Sequence, residues 1–258
     1  MSPVRIISTV KNAIPWATRR RLSSIKHLIR DRFLSRLDEN LNLHGLGAGK
    51  TASLIGGGPS INKLAKGTLP IEDVFILNHF WLHDHYGHIK SGYHCISDHY
   101  FLNHPRIREL RKVHNPNLTF VTTKRIRQRL CEVVPGAKFV ELNYSASRPI
   151  YLPRNPLVHD LTEIMQTGAT VAADFALPMI NYMNFAKLEI MGFDLDYGKY
   201  ASNYAYDVKG AIFTDKEYLA DIWPRLAYTS IQRWIAELQL SGTEVNSLTP
   251  TRLTLRNK

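Results

Sequence analysis

The sequence predicts an α/β fold: a Rossmann-like, mainly parallel sheet with helices on both faces, plus a basic N-terminal helical arm. Three observations support this. From Thr51 onward, short apolar runs alternate with segments of helical periodicity, as in βαβ units. The first apolar run leads directly into a glycine-rich turn. The positive charge is concentrated in residues 1–50, which we interpret as an arm and linker, with residues 51–258 forming the domain.

The arm carries ten Lys or Arg residues against three Asp or Glu, which accounts for +7 of the net charge of +11. Leu22, Ile25, Ile29 and Leu37 recur at helical spacing among these basic residues, which predicts an amphipathic helix. Two interpretations remain open. The helix packs on the domain with a solvated face, or residues 15–37 contact an anionic membrane peripherally. Glycines in residues 42–50 predict a linker.

The domain is predicted to contain seven strands and five helices. The strands are expected at 51–56, 73–78, 93–98, 118–122, 137–142, 187–193 and 244–248, and the helices at 60–66, 104–113, 124–131, 167–184 and 215–239. Ligands of such sheets bind at the carboxyl ends of the strands. The polar residues Asn78 and Asp98 end predicted strands and Asp194 follows one, so all three are candidate ligand contacts.

The composition indicates the cellular setting of the protein and the kind of partner it binds. Only Cys95 and Cys131 are present and they lack metal-site spacing, so a cytoplasmic setting is expected. No apolar run has the length of a bilayer span or the form of a signal peptide. The net charge favours an anionic partner. The basic stretches 106–112 and 123–129 have the pattern of surface helices, so no nucleic acid partner is predicted.

The glycine-rich turn reads Gly56-Gly57-Gly58-Pro59-Ser60. Glycine lets a ligand approach the backbone, Pro59 suits the first turn of a helix, and a helix N-terminus attracts phosphate. The turn lacks the third glycine of the dinucleotide fingerprint and the Gly-Lys-Ser/Thr of a P-loop. Two readings therefore remain open at this point: a phosphate-binding turn, or a tight connection between strand and helix.

Five stretches in order carry a family resemblance: LIGGGPSINKL, DVFILNHFWL, TGATVAADFALPMI, LEIMGFDLDYG and SNYAYD. Together they resemble the bacterial lipooligosaccharide sialyltransferases. The wider superfamily includes the motility-accessory-factor flagellin glycosyltransferases and the archaeal-type hydroxymethylpterin diphosphokinases. The resemblance covers roughly residues 51–250 and implies a glycosyltransferase of cell-surface glycan biosynthesis.

The resemblance also implies roles for individual residues. The implied nucleotide contacts are Gly57, Gly58, Ser60, Asn78, Thr167, Gly168, Gly192 and Asp194. Tyr204 matches a tyrosine whose hydroxyl stabilises the departing phosphate, and Asp196 or Tyr197 falls where the family has a second one. Such hydroxyls stabilise developing charge without a metal.

The sequence departs from that family in its histidines. The family places a base in the lid after the Tyr-Ala-Phe-Asp motif, whereas no histidine of this chain lies beyond His159. Many histidines instead fall between residues 79 and 104, where we expect a rim around an anionic pocket or plain surface rather than a zinc site. His79 and His99 follow strand ends and are the candidate bases.

The function predicted from sequence is transfer of a sugar from a nucleotide-activated donor, CMP-sialic-acid-like or related, to the hydroxyl of a glycan acceptor. No cofactor or metal is required. Two alternatives stay open. A pterin-type diphosphokinase would use ATP and Mg²⁺ held by carboxylates such as Asp98 and Asp194. An inactive nucleotide-binding protein would keep the pocket without the base. Whether the chain forms a homo-oligomer is also left open.

Overall fold

A computed structural model describes residues 34–64, 67–97, 99–145, 149–153, 155–195 and 223–256. The strands are β1 (Thr51–Ile55), β2 (Val74–Leu77), β3 (Gly92–Cys95), β4 (Leu118–Thr122), β5 (Lys138–Glu141), β6 (Asn143–Ser145), β7 (Ile164–Gln166), β8 (Lys187–Met191) and β9 (Glu244–Ser247). Seven of them form one sheet in the order β5-β4-β3-β2-β1-β8-β9, and every pairing is parallel. The predicted Rossmann-like α/β fold is confirmed.

The seven strands predicted from sequence are the seven strands of this sheet. The main difference is at the carboxyl ends of β1, β3 and β8, which end at Ile55, Cys95 and Met191, before the last predicted residues. The sequence did not predict β6 and β7, which pair in parallel with each other as a second, two-stranded sheet. The strand order reverses between β1 and β8, so the switch point of the sheet lies there.

The α-helices are α1 (Leu110–Val113), α2 (Lys124–Val133), α3 (Leu177–Tyr182) and α4 (Trp223–Leu240). A π-helical segment, Ala172–Ala176, leads directly into α3. The helix predicted at 60–66 is only a 3-10 helix, Pro59–Lys63, and the one predicted at 104–113 is a short 3-10 segment followed by α1. The part of the last predicted helix before Trp223 lies outside the described residues.

Both faces of the sheet are covered. Along β1, Ala52 and Leu54 pack into one core with α3 and α4, whereas Ile55 packs into a second core on the opposite face. In α4 the buried residues Ile231, Trp234, Ile235 and Leu238 follow helical spacing and form the face against the first core. This two-sided burial explains why the central strands read as continuous apolar runs.

Residues 34–50 contact the domain. They include a 3-10 helix, Asp38–Leu43, in which the buried Asn40 donates through Nδ2 to the carbonyl oxygens of Glu141 and Leu161, both at 2.9 Å. The rest of the predicted amphipathic helix, and with it the membrane interpretation, lies outside the described residues. None of the helices in the described part of the chain has the length and apolarity needed to cross a bilayer.

The segment after β9 runs along α4 and is held there by two glutamines. Gln232 donates to the carbonyl oxygen of Thr254 at 2.8 Å and accepts from the N–H of the same residue at 2.9 Å. Gln239 makes the same pair of contacts with Arg256, at 3.0 and 3.4 Å. Each glutamine thus binds the backbone as a neighbouring strand would.

Candidate functional site

The glycine turn after β1 and the turn after β8 interlock at the switch point. The N–H of Gly56 donates to the carbonyl oxygen of Met191 at 2.8 Å, and that of Gly58 donates to the carbonyl oxygen of Gly192 at 2.9 Å. A Cβ atom on Gly58 would overlap both the Gly192 carbonyl and the Asp194 carboxylate. These glycines are therefore required by the neighbouring turn, whether or not a ligand also approaches them.

Gly192 has its own requirement for glycine. Its φ of +69° lies in the left-handed region, and a Cβ there would come within 2.7 Å of an Ile61 methyl and 2.8 Å of the Gly56 carbonyl oxygen. Two threonines of the C-terminal segment brace the same turn. The Gly192 N–H donates to Oγ1 of Thr249 at 3.0 Å, and Oγ1 of Thr251 donates to the Phe193 carbonyl oxygen at 2.8 Å.

Ser60 and Asp194 connect the two turns through their side chains. The Ser60 hydroxyl donates to Oδ2 of Asp194 at 2.8 Å, and the Ser60 N–H donates to the same oxygen at 3.3 Å. Asp194 thereby satisfies donors at the start of the 3-10 helix Pro59–Lys63, as a capping residue does. Its second oxygen, Oδ1, is not engaged by Ser60, and Asp194 itself is partly exposed.

The 3-10 helix changes the electrostatic expectation for this turn. A five-residue 3-10 segment has few aligned peptide dipoles, so it attracts a phosphate less than the predicted helix would. The Ser60 side chain is buried and already bonded to Asp194. Gly57, Gly58 and Pro59 are partly exposed, so a ligand can approach this part of the turn.

Asn78 and His79 follow β2, the strand next to β1. Asn78 has a φ of +43°, and neither its Oδ1 nor Nε2 of His79 has a hydrogen-bond partner among the described residues. Burial, with a smaller effect from nearby His104, lowers the pKa of His79 to about 4. This imidazole is neutral at pH 7, and it is a weak base because its pKa lies far below that pH.

Two of the neighbouring histidines, His94 and His104, are buried in the core, so the expectation of a rim or plain surface is wrong for them. Nε2 of His94 lies 2.6 Å from the Asn78 carbonyl oxygen, and its ring packs 5.1 Å from that of Phe120. Burial lowers the pKa of His94 to about 3. Among the described residues, no three His, Cys, Asp or Glu side chains converge as a metal site.

Thr167 and Gly168 follow β7 and form a turn, whereas the sequence predicted the first residues of a helix. The Thr167 N–H donates to the Ser145 carbonyl oxygen at 3.3 Å, and the Thr167 carbonyl oxygen accepts from the Ile150 N–H at 2.8 Å. The next residue, Ala169, has a φ of +62°. Gly168 is buried, and a Cβ on it would overlap Ala173.

Asp174 is the site residue that sequence reasoning missed. It lies in the π-helical segment, is 5% exposed, and accepts a hydrogen bond from the Gly168 N–H. Burial raises the pKa of its carboxyl to about 7, although the hydrogen bond from Gly168 acts in the opposite direction. A single acidic residue in the apolar run Val171–Ile180 was the available signal.

Backbone strain is found at these strand exits. Asn78, Ala169 and Leu195 follow β2, β7 and β8, and all three have positive φ angles. Asparagine adopts this conformation readily, but alanine and leucine do so at a cost of about 1–2 kcal/mol each. Non-glycine residues in this region persist where the surrounding structure holds them, which is often at functional sites.

The structure does not describe the side chains of the remaining predicted site residues. Tyr204, Tyr197 and Asp98 lie outside the described residues. His99 begins a 3-10 helix, His99–Asn103, and its side chain is not described. A separate cleft of about 730 Å³ lies at the opposite, amino-terminal edge of the sheet, between the 3-10 helix Asp38–Leu43 and the end of α3. No predicted site residue lines that cleft.

No protein family, curated protein or solved structure matches this chain. The family resemblance and the roles that it implies therefore stay predictions, and the fold and the geometry of the site rest on the structure alone.

Proposed function

We propose that this chain binds a nucleotide-activated sugar at the carboxyl edge of its sheet and transfers the sugar to a hydroxyl acceptor without a metal. The observation that carries the proposal is the pair of interlocked turns at the switch point between β1 and β8, joined by Ser60 and Asp194. Open α/β sheets bind ligands in the crevice at this point.

The groups around the switch point suit a nucleotide. The backbone at Gly57 is partly exposed, so a ligand can contact it closely. Oδ1 of Asp194, which Ser60 does not engage, suits hydroxyl or amino donors, such as those of a ribose or a base. The next strand ends at Asn78 and His79, whose Oδ1 and Nε2 atoms are buried without hydrogen-bond partners among the described residues.

The chemistry proposed is a direct displacement. An acceptor hydroxyl oxygen bonds to the anomeric carbon as the bond from that carbon to the nucleotide phosphate oxygen breaks, and the electron pair stays on the phosphate. By the resemblance, Tyr204 and Tyr197 donate hydrogen bonds to that phosphate. The acceptor proton passes to a base. The low pKa of His79 makes it a better hydrogen-bond partner than proton acceptor, so His99 is the histidine to test first.

The test is a thermal-shift screen of the full chain against CMP, CDP, UDP, GDP and ATP, each with EDTA or with Mg²⁺. We expect CMP to raise the melting temperature equally in both. At 100 times the dissociation constant the gain is about 2.7 kcal/mol, or about 5 °C for a chain of this size. Stabilisation by ATP that requires Mg²⁺ would favour the diphosphokinase alternative, and no shift with any nucleotide would reject both enzymes.

Two aspartate variants locate the binding site. Asp194→Asn removes the charge at the switch point and is expected to weaken nucleotide binding about tenfold or more. Asp160→Asn is the matched control, because Asp160 lines the cleft at the opposite edge. If the two variants weaken binding equally, the ligand is not at the switch point. A chain that binds CMP at Asp194 but turns over no sugar nucleotide would be the inactive nucleotide-binding protein.

A further inference from the structure

Two crossover connections place α1 and α2 on the same face of the sheet. The strands β3, β4 and β5 are parallel neighbours, and α1 and α2 connect them in turn. Leu110 of α1 packs into the second core, as do Ile126 and Leu130 of α2. The opposite sides of these two helices therefore face away from the sheet.

The exposed side of these helices is strongly basic. It carries six exposed Lys or Arg side chains that form no ion pair among the described residues, and we call them the basic face: Arg108, Arg111, Lys112, Lys124, Arg125 and Arg129. The nearby carboxylates offset little of this charge. Glu109 already pairs with Arg106, and Glu141 already pairs with Arg127. Glu132 is the one acidic residue in α2.

Two arginines of α2 lie on the flank of the helix that faces α1. Arg127 lies beside β5, since it pairs with Glu141. At about 100° per residue, Arg125 and Arg129 lie on the opposite flank. On the way to α1 the chain forms the 3-10 helix His99–Asn103, which contacts α2. The charges of the two helices therefore add to one surface.

The basic N-terminal arm leaves the domain beside α2. Nδ2 of Asn143 donates to the Ser35 carbonyl oxygen at 2.8 Å, and Asn143 lies two positions after Glu141, the partner of Arg127. Residues 1–50 supply +7 of the net charge of +11. Neighbouring regions of like charge repel each other, which is unfavourable for the isolated chain. An extended anionic surface that contacts both regions removes this repulsion.

The residue types on the basic face favour a lipid surface over a nucleic acid. Val113, the last residue of α1, is an apolar side chain that is 43% exposed beside Lys112. An apolar side chain among cations suits the headgroup region of a bilayer. The helices α1 and α2, both of which lie within the described residues, contain no aromatic side chain on which a base could stack.

We infer that the basic face is a docking surface for a membrane that contains anionic lipids. Arg125 and Arg129 are its central contacts, and Val113 is an apolar contact at one end. Each Lys or Arg held near an anionic membrane strengthens binding about fivefold. The inference does not depend on the proposed nucleotide site, because none of the groups assigned to that site belongs to the basic face.

The test measures cosedimentation of the full chain with vesicles of phosphatidylcholine, either pure or with about one third phosphatidylglycerol. The unmodified chain should bind the anionic vesicles, and more weakly as the salt concentration rises. Arg125→Gln combined with Arg129→Gln should weaken this binding about thirtyfold. Arg125→Lys combined with Arg129→Lys should preserve it, because contact with lipid headgroups requires the charge and not the shape of the side chain.

The matched control is Arg225→Gln combined with Arg256→Gln. Both arginines are exposed, and they lie on α4 and on the segment beside it, at the opposite face of the sheet. This variant loses the same charge but should keep most of the vesicle binding. If both glutamine pairs weaken binding equally, net charge determines the contact and the inference is rejected.

Two further outcomes would also overturn the inference. If neither glutamine pair weakens vesicle binding, the membrane contact belongs to the arm and not to the basic face. Binding of single-stranded RNA in place of anionic vesicles, measured by fluorescence anisotropy in the same salt, would make the face a nucleic acid site. Val113→Asn should weaken vesicle binding a few-fold. Unchanged binding in that variant would contradict the lipid assignment, because a polyanion does not use the apolar side chain.

Discussion

The two edges of the sheet differ in how their turns are built. At the amino-terminal edge, positive φ angles fall on Gly45, Asp73 and Asn184, residue types that tolerate them. At the carboxyl edge and in the turn after β7, positive φ angles also fall on Ala169 and Leu195, residue types that do not tolerate them. The two edges also differ in whether their polar groups have hydrogen-bond partners.

At the amino-terminal edge, polar groups of the 730 Å³ cleft have partners within the chain. Nδ1 of His159 lies 3.1 Å from Nδ2 of Asn181, and Asp160 accepts from the hydroxyl of Thr162 at 2.7 Å. At the carboxyl edge, Asn78 and His79 have buried polar atoms without partners among the described residues. The comparison teaches that a cavity alone does not identify a site. The strained residues Ala169 and Leu195 distinguish the carboxyl edge and the turn after β7.

The largest expected difference in stability is between alanine variants of two glycines that have nearly equal φ angles. Gly192→Ala should destabilise the chain by about 4 kcal/mol, because strain adds to overlap with Ile61 and Gly56. Gly45→Ala has the same strain but nothing within 4 Å of the new Cβ, so about 1 kcal/mol is expected. Denaturant unfolding measures both. Equal losses would contradict the close packing of the two turns.

The second prediction uses pH. The pKa of buried His94 falls from 6.5 to about 3 on folding, so the unfolded chain binds more protons below pH 6.5. Stability is fully retained above pH 6.5 and is lost as the pH falls toward 3. Between pH 6.5 and 5 the loss from His94 is about 2 kcal/mol.

The measurement is urea unfolding at pH 7.5 and pH 5. His94→Gln should make the loss of stability between the two pH values smaller, whatever its effect at pH 7.5. An unchanged loss in His94→Gln would mean that His94 is not buried in its neutral form.

The smallest effect concerns strain in the turn after β7. Ala169→Gly relieves a φ of +62° and should stabilise the chain by about 1 kcal/mol, while loosening the Thr167-Gly168 turn and weakening nucleotide affinity a few-fold. Asn184→Gly, with a φ of +60°, should change both quantities less, because asparagine tolerates this region. Melting temperature and calorimetry measure the two variants. A gain in stability with unchanged affinity would mean that the strain has no part in binding.

The sequence predicts the main sheet well because its central strands are buried on both faces and appear as continuous apolar runs, as in Val74–Leu77. The strands β6 and β7 have three residues each, too few to produce a periodic pattern. The predicted helix after the glycine turn is a 3-10 helix, and apolar periodicity over five residues does not distinguish the two.

The site is less predictable because its contacts join distant parts of the chain. Gly58, Asn78 and Asp194 follow predicted strands, so the sequence indicated the edge on which they lie. The bond from Ser60 to Asp194 spans 134 positions and depends on how the sheet places β8 beside β1. Asp174 is visible in the sequence only as an acidic residue in an apolar helix. The direction of its side chain depends on a π-helical segment that has no sequence signature.

The two glutamines on α4 have a consequence for how this sequence can vary among relatives. Gln232 and Gln239 hold the chain at Thr254 and Arg256 through main-chain atoms alone. These contacts do not depend on the side chains at 254 and 256, although the Thr254 hydroxyl also lies 3.5 Å from that of Tyr228. The glutamines are less replaceable, because only a primary amide both donates and accepts in this way. An alignment of homologues should show two invariant glutamines seven positions apart in α4. The segment that they contact should keep its path while its residues vary.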